Sequence, residues 1–367
     1  MNISHLTPTK ILMGKNCVSA NAGVLAGLGK KALLVTGRNS AKANGSLKDV
    51  TDALSANGQA YALYDQVMSN PTIACAYEGA AFARSENCDF VIAIGGGSPM
   101  DAAKAMALLA RQDIPEEQLF SGPYTADVLP MVFIPTTAGT GSEVTQYSIL
   151  TNDRLQTKTS IASPVLFPAV AMLDAKYTEG LSHATAVNTA VDALSHSVEG
   201  MLSNRANPLS DCLAAESIRR IASCFASMGE NALTPEDREN LLYASTLGGL
   251  VIANTGTTAV HAMGYSLTYF KDIDHGRANG LLLAEFLRFV EKSAPAKIRD
   301  ILACAGLESV DAFASALKSL LGDPEPITAE EIARYTEIAI KAKNIGNCIA
   351  IPDEAELTRV YTASFGL

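Results

Sequence analysis

The first half of this chain repeats one pattern: a short apolar run rich in β-branched residues, followed by an alanine-rich stretch of helix length. That alternation is the signature of strand–helix units that feed a largely parallel sheet. Six runs are predicted as strands: Lys10–Met13, Ala32–Thr36, Ala60–Tyr64, Phe90–Ile94, Met131–Pro135 and Val170–Leu173. Several are apolar throughout, as strands covered on both faces must be. Helices are predicted between them over Ser46–Ala56, Thr72–Glu86 and Pro99–Ala110.

After about Thr178 the strand-like runs stop, and segments with apolar residues at helical spacing continue to the C-terminus. Helices are predicted over His183–Leu202, Pro208–Ser227, Pro235–Asn254, Thr258–Tyr265, Arg277–Ser293, Pro295–Cys304 and Ala329–Ala342. The expectation is an α/β domain over 1–178 with a Rossmann-like parallel sheet, and an all-helical domain over 179–367. With 48% hydrophobic and 18% charged residues in 367, the chain has ample material for two cores and is not a disordered one. Its 28 basic against 38 acidic residues, a net charge of −10, argue against nucleic acid as a partner. No run approaches the ~18 uninterrupted apolar residues of a membrane span. The opening MNISHLTPTK lacks the apolar core of a secretory leader, and seven scattered cysteines form no Cys-x-x-Cys pair. A cytoplasmic protein is expected.

The run Phe90-Val-Ile-Ala-Ile-Gly95-Gly96-Gly97-Ser98-Pro99-Met100-Asp101 reads as a buried strand, three glycines and a helix with Ser98 as N-cap and Pro99 at its first position. Glycines let backbone approach phosphate oxygens, and unpaired N–H groups at a helix start favour an anion. A tight strand-to-helix turn without ligand has the same sequence, and neither the dinucleotide fingerprint nor a P-loop lysine is present. The next strand runs into Thr136, Thr137, Thr140, Ser142 and Thr145, hydroxyls for a ribose or diphosphate, or simply a hydroxyl-rich helix-capping loop. Both loops follow strand C-termini, where such sheets bind ligands, which favours a dinucleotide.

Only five histidines occur, so their placement is informative. Asp192 and His196 stand one helical turn apart on one face, His261 lies in Ala-Val-His261-Ala-Met-Gly-Tyr265, and His275 follows in Asp274-His275-Gly276-Arg277. Three imidazoles and one carboxylate suit Fe²⁺ or Zn²⁺ rather than Mg²⁺ or Ca²⁺. An Asp/His pair at this spacing is also a common surface or capping interaction. His5 and His183 are expected to be exposed or locally hydrogen-bonded.

Together these motifs, in this order and spacing across nearly the whole chain, resemble the iron-containing (group III) alcohol dehydrogenases, relatives of glycerol dehydrogenase and dehydroquinate synthase. The resemblance implies a dehydroquinate synthase-like fold and a metal held by Asp192, His196, His261 and His275. It places Gly96, Gly97, Ser98 and Asp101 at the cofactor diphosphate and Thr136, Thr137 and Thr140 along the adenosine and ribose. Thr145, Tyr147 and Lys158 would approach the ribose and nicotinamide. The implied reaction is hydride transfer between NAD(P)H and a small primary aldehyde or alcohol, in a homodimer.

Two positions depart from the family pattern. Tyr265 stands where members often carry a second histidine that relays a proton, and a tyrosine near its ordinary pKa of about 10 is a poorer acid–base group. After the second strand the chain reads Thr36-Gly37-Arg38-Asn39, with no carboxylate to bind a ribose diol. With Arg38 available for a 2′-phosphate, NADP(H) is favoured and NAD(H) remains possible; Arg38 is equally compatible with an exposed turn. Alternatives are a glycerol-type polyol dehydrogenase and, from another class, a metal-dependent hydrolase. A dehydroquinate-synthase-like lyase is more distant, for want of a basic cluster near the metal motifs.

Overall fold

A computed structural model describes residues 3–367 of the chain. Its residues group into two compact units: Thr7–Thr137 with Gly141–Leu181, and residues up to Leu6 with Ala138–Thr140 and Ser182–Leu367.

The first unit is built on a six-stranded sheet of β1 (Lys10–Met13), β2 (Lys31–Thr36), β3 (Ala60–Tyr64), β4 (Phe90–Gly95), β5 (Met131–Pro135) and β8 (Val170–Leu173). All neighbours run parallel, in the order β1-β8-β5-β4-β2-β3. Each strand lies where the apolar runs predict it. Leu34, Ile92, Ile94, Val132 and Ile134 pack on one face with Val50 and Leu54, while Leu33, Val35, Val91, Ala93 and Phe133 pack on the other with Met100 and Met106. Successive residues therefore enter opposite cores, which is why β4 is apolar at every position. β4 and β5 are neighbours with Gly95 opposite Pro135, so the two glycine-bearing loops leave the sheet side by side.

Two local expectations need correction. The helix after β4 spans Gly97–Leu109 with Gly96, not Ser98, at its N-cap. Pro99 is tolerated two residues into it because the first-turn N–H groups have no helical partner to lose, and the Ser98 hydroxyl accepts from the Asn70 N–H at 3.2 Å. A hairpin of β6 (Tyr147–Asn152) and β7 (Thr157–Ala162) forms the second sheet. The apolar runs do not mark it, since Thr157-Lys-Thr-Ser-Ile-Ala162 is too polar to show as one.

The second unit is helical, as its periodicity predicts. The His183–Met201 helix is buried along most of its length and packs against the Pro208–Ser223, Pro235–Thr255 and His275–Glu291 helices. Helix starts follow the capping chemistry in the sequence: Ser182, Asn207 and Thr234 each accept from first-turn N–H groups, and Pro208, Pro235 and Pro295 occupy first turns. Boundaries differ in places. The segment predicted over Pro208–Ser227 breaks at Cys224; Ala259–Lys271 runs past Tyr265 until Asp272, at φ 54°, ends it; and the next helix begins at His275 rather than Arg277. Val310–Leu321 and Glu354–Phe365 are further helices. Among the described residues no helix is long and apolar enough to cross a membrane.

Candidate functional site

Three helices of the second unit bring together the polar residues singled out in the sequence. Asp192 and His196 lie on successive turns of the His183–Met201 helix, both buried, with His196 Nε2 4.0 Å from Asp192 Oδ1. His261, on the Ala259–Lys271 helix, places its Nε2 3.8 Å from the same oxygen, and His275, first residue of its helix, places Nε2 at 3.9 Å. Three imidazole nitrogens thus converge on one carboxylate oxygen. Asp192, His261 and His275 have donor atoms within 4.8 Å of one another, a grouping that could hold a metal ion. The His196 and His261 rings stack at 4.8 Å, and His275 meets His261 edge-on at 5.1 Å. His275 is the most accessible of the three, its side chain 24% exposed.

The approach of these helices depends on Gly276. A Cβ there would stand 1.9 Å from the Asn188 carbonyl oxygen, so only glycine lets the His275 helix come this close to the turn carrying Asp192. Burial holds the pKa of His196 below its ordinary value, against the raising effect of Asp192.

Two further residues complete the cluster and are not among those the sequence reading selected. Glu199 is fully buried, with its carboxylate against His261 Nδ1. Burial pushes its pKa up, but the His261 charge and hydrogen bonds from His261 and Thr258 outweigh that and hold it below the ordinary glutamate value. The Asn279 amide nitrogen lies 3.1 Å from Asp192 Oδ1 and 3.2 and 3.3 Å from the Nε2 atoms of His261 and His275. Both were legible in principle: Glu199 continues the Asp192–His196 stripe, and Asn279 follows His275 by one turn. Tyr265, one turn beyond His261 and half-buried, stacks on His275 at 5.4 Å with an interplanar angle of 9°. His183 is exposed, as expected.

In the first unit, Gly96, Gly97, Ser98, Asp101, Thr136, Thr137, Thr145 and Tyr147 follow the C-terminal ends of β4 and β5. A Cβ on Gly96 would lie 2.9 Å from Thr137 Oγ1, so the two loops touch through that glycine. Beneath them the fully buried Lys104, unread in the sequence, donates to Ser142 Oγ (2.7 Å), Thr145 Oγ1 (3.1 Å) and the Tyr147 carbonyl (2.8 Å). Ser142 in turn donates to Asp101 at 2.7 Å. Burial pushes the Lys104 amine down to about 8 and raises the Asp101 carboxyl. Lys158 stands on β7 opposite Thr151, and its charge reaches Asp101. Thr140 belongs instead with the helical unit, beside Gly139, whose Cβ would lie 2.7 Å from that of Thr189. Gly37, Arg38 and Asn39 follow β2; Arg38 and Asn39 are exposed, and Arg38 donates to Gln66 Oε1 at 3.4 Å.

The sequence model of the iron-containing alcohol dehydrogenases matches residues 8–175, and that of the C-terminal part of the same family matches residues 186–363. The chain belongs to the iron-containing alcohol dehydrogenase family. It is 32% identical to the 1,3-propanediol dehydrogenase of Klebsiella pneumoniae, over 98% of both chains. It is 34% identical to the lactaldehyde reductase of Escherichia coli, over 76% of this chain and 73% of that one. An iron-containing alcohol dehydrogenase of Thermotoga maritima superposes with a TM-score of 0.91 at 35% identity, covering 99% of each chain. Membership makes this iron-containing alcohol dehydrogenase a metal-dependent alcohol dehydrogenase or aldehyde reductase, an oxidoreductase that works with a nicotinamide cofactor.

Proposed function

We propose that the enzyme interconverts short primary aldehydes and alcohols with NADP(H) in preference to NAD(H), using Fe²⁺, or Zn²⁺ in its place, held by Asp192, His196, His261 and His275. The observation that carries this reading is the convergence of three Nε2 atoms within 4.0 Å of a single buried carboxylate oxygen. That donor set fits a borderline divalent cation. When bound, the metal supplies a Lewis acid that stabilises negative charge on the substrate oxygen. Residues of the chain do the rest. Asp192 and the three imidazoles fix the centre, His275 lies toward its accessible side, and Tyr265 positions substrate or passes a proton slowly. The activities of the Klebsiella and Escherichia relatives, on a propanediol and on lactaldehyde, support a small substrate with a second polar group.

In the same reading the chain divides functionally at 1–178, the cofactor domain, and 179–367, the metal domain. The loops after β4 and β5 take the diphosphate and ribose through Gly96, Gly97, Ser98, Asp101, Thr136, Thr137 and Thr140. Thr145, Tyr147 and Lys158 serve the nicotinamide end, and Gly37, Arg38 and Asn39 take the 2′-phosphate. Two observations support a cytoplasmic homodimer. All seven cysteines are free, and β1, with Ile11 38% and Met13 36% exposed, is an edge strand able to pair across a two-fold axis. The test is anaerobic turnover of NADPH and of NADH with a panel of short aldehydes, using protein stripped of metal and reloaded with Fe²⁺ or Zn²⁺. Metal-dependent NADPH oxidation is expected, and consumption of neither cofactor under any loading would defeat the proposal.

A further inference from the structure

Glu199 makes four contacts with its fully buried carboxylate: three hold Oε1, and the fourth sets Oε2 against one imidazole. Oε1 accepts from Thr258 N at 2.8 Å, Thr258 Oγ1 at 2.7 Å and His261 N at 3.3 Å; Oε2 is set against His261 Nδ1. The opposite ring nitrogen, Nε2, faces Asp192. A carboxylate buried this deeply is costly unless strongly paired. His196 is arranged differently: among the described residues no carboxylate stands against its buried Nδ1.

We infer that Glu199 is the positioning residue of the metal centre. Its carboxylate holds the Nδ1–H of His261, so that the lone pair of Nε2 is directed at the cation, and it makes that imidazole a stronger donor. It is also the second negative charge of the cluster: with a divalent cation in place, Asp192 and Glu199 together bring the buried centre to charge neutrality. The inference rests on the metal reading proposed above. It adds a residue that need not touch the metal to determine how tightly the centre holds it.

The experiment measures Zn²⁺ affinity of the full-length protein by competition with a chromogenic chelator, for wild type, Asp192→Ala and Glu199→Gln. The visible absorption of the Co²⁺-loaded forms is recorded alongside. Glu199→Gln keeps the shape and removes the charge. It is expected to weaken Zn²⁺ binding by roughly 10–100-fold and to shift the Co²⁺ bands, while NADPH affinity stays within about two-fold of wild type. A merely structural role would lower the unfolding temperature of the metal-free protein without changing affinity or spectrum, and that result overturns the inference. If Glu199→Gln does not fold, Thr258→Val, which removes one donor to a still-charged carboxylate, carries the test. A several-fold weaker affinity is then expected, and an unchanged one overturns the inference. Failure of the underlying metal reading looks different: wild type and Asp192→Ala would bind Zn²⁺ equally.

Discussion

Lys104 shows how much a single buried charge contributes to the cofactor unit. Its amine ties Ser142, Thr145 and Tyr147 together, yet burial lowers its pKa to about 8. Below that pH the folded protein holds a charged amine in its interior. Between about 8 and the ordinary lysine value the folded state has lost the proton while the unfolded chain still binds it, so this residue's contribution to stability rises with pH, by roughly 1.4 kcal/mol per unit. Thermal or urea unfolding of wild type and Lys104→Met across pH 7 to 10 is expected to show wild type gaining on the variant above about pH 8; parallel profiles would contradict the burial argument. Arg38 permits a second test at this scale. Removing its guanidinium in Arg38→Ala is expected to raise the KM for NADPH roughly ten-fold and to leave that for NADH nearly unchanged, as steady-state kinetics with each cofactor would show.

At the scale of elements, what the sequence displays depends on how each element is buried. All six sheet strands were legible because both faces are covered and the runs are apolar; the β6–β7 hairpin was not, because its polar, partly exposed residues carry no such run. The metal cluster was legible as Asp192, His196, His261 and His275 because histidines are few and lie at or near helix starts or on one helical stripe. Lys104 is hidden, because lysine is common on solvated faces; Glu199 and Asn279 share a helical stripe with the histidines, but glutamate and asparagine are equally common on solvated faces, and tertiary packing turns all three inward. Gly276 joins sequence to geometry most directly. In Gly276→Ala the methyl would meet the Asn188 carbonyl, so the His275 helix must retreat from Asp192. A loss of about 1–3 kcal/mol in stability and weaker metal retention are expected together, measured by urea unfolding and by metal content after dialysis; retention of full metal affinity would show that the close approach is not needed.

For the whole molecule, β1 sets the expectation for assembly. Among the described residues no strand pairs with its outer edge, which leaves backbone donors and acceptors of Lys10–Met13 on that side, and Ile11 is exposed there. Ile11→Lys is therefore expected to shift sedimentation from a dimer toward a monomer, whereas a wild-type protein that already sediments as a monomer would remove the two-fold pairing from the account. The central claim, that the buried Asp192–His196–His261–His275 cluster is the metal centre on which turnover depends, has a more direct test. Metal-stripped protein is titrated anaerobically with Fe²⁺ while NADPH oxidation by a short aldehyde is followed. Activity in wild type is expected to rise from background to a plateau at about one equivalent per chain, and Asp192→Ala is expected to stay at background throughout while still binding NADPH. Stripped protein as active as the reloaded form, or an Asp192→Ala variant that turns over like wild type, would contradict it.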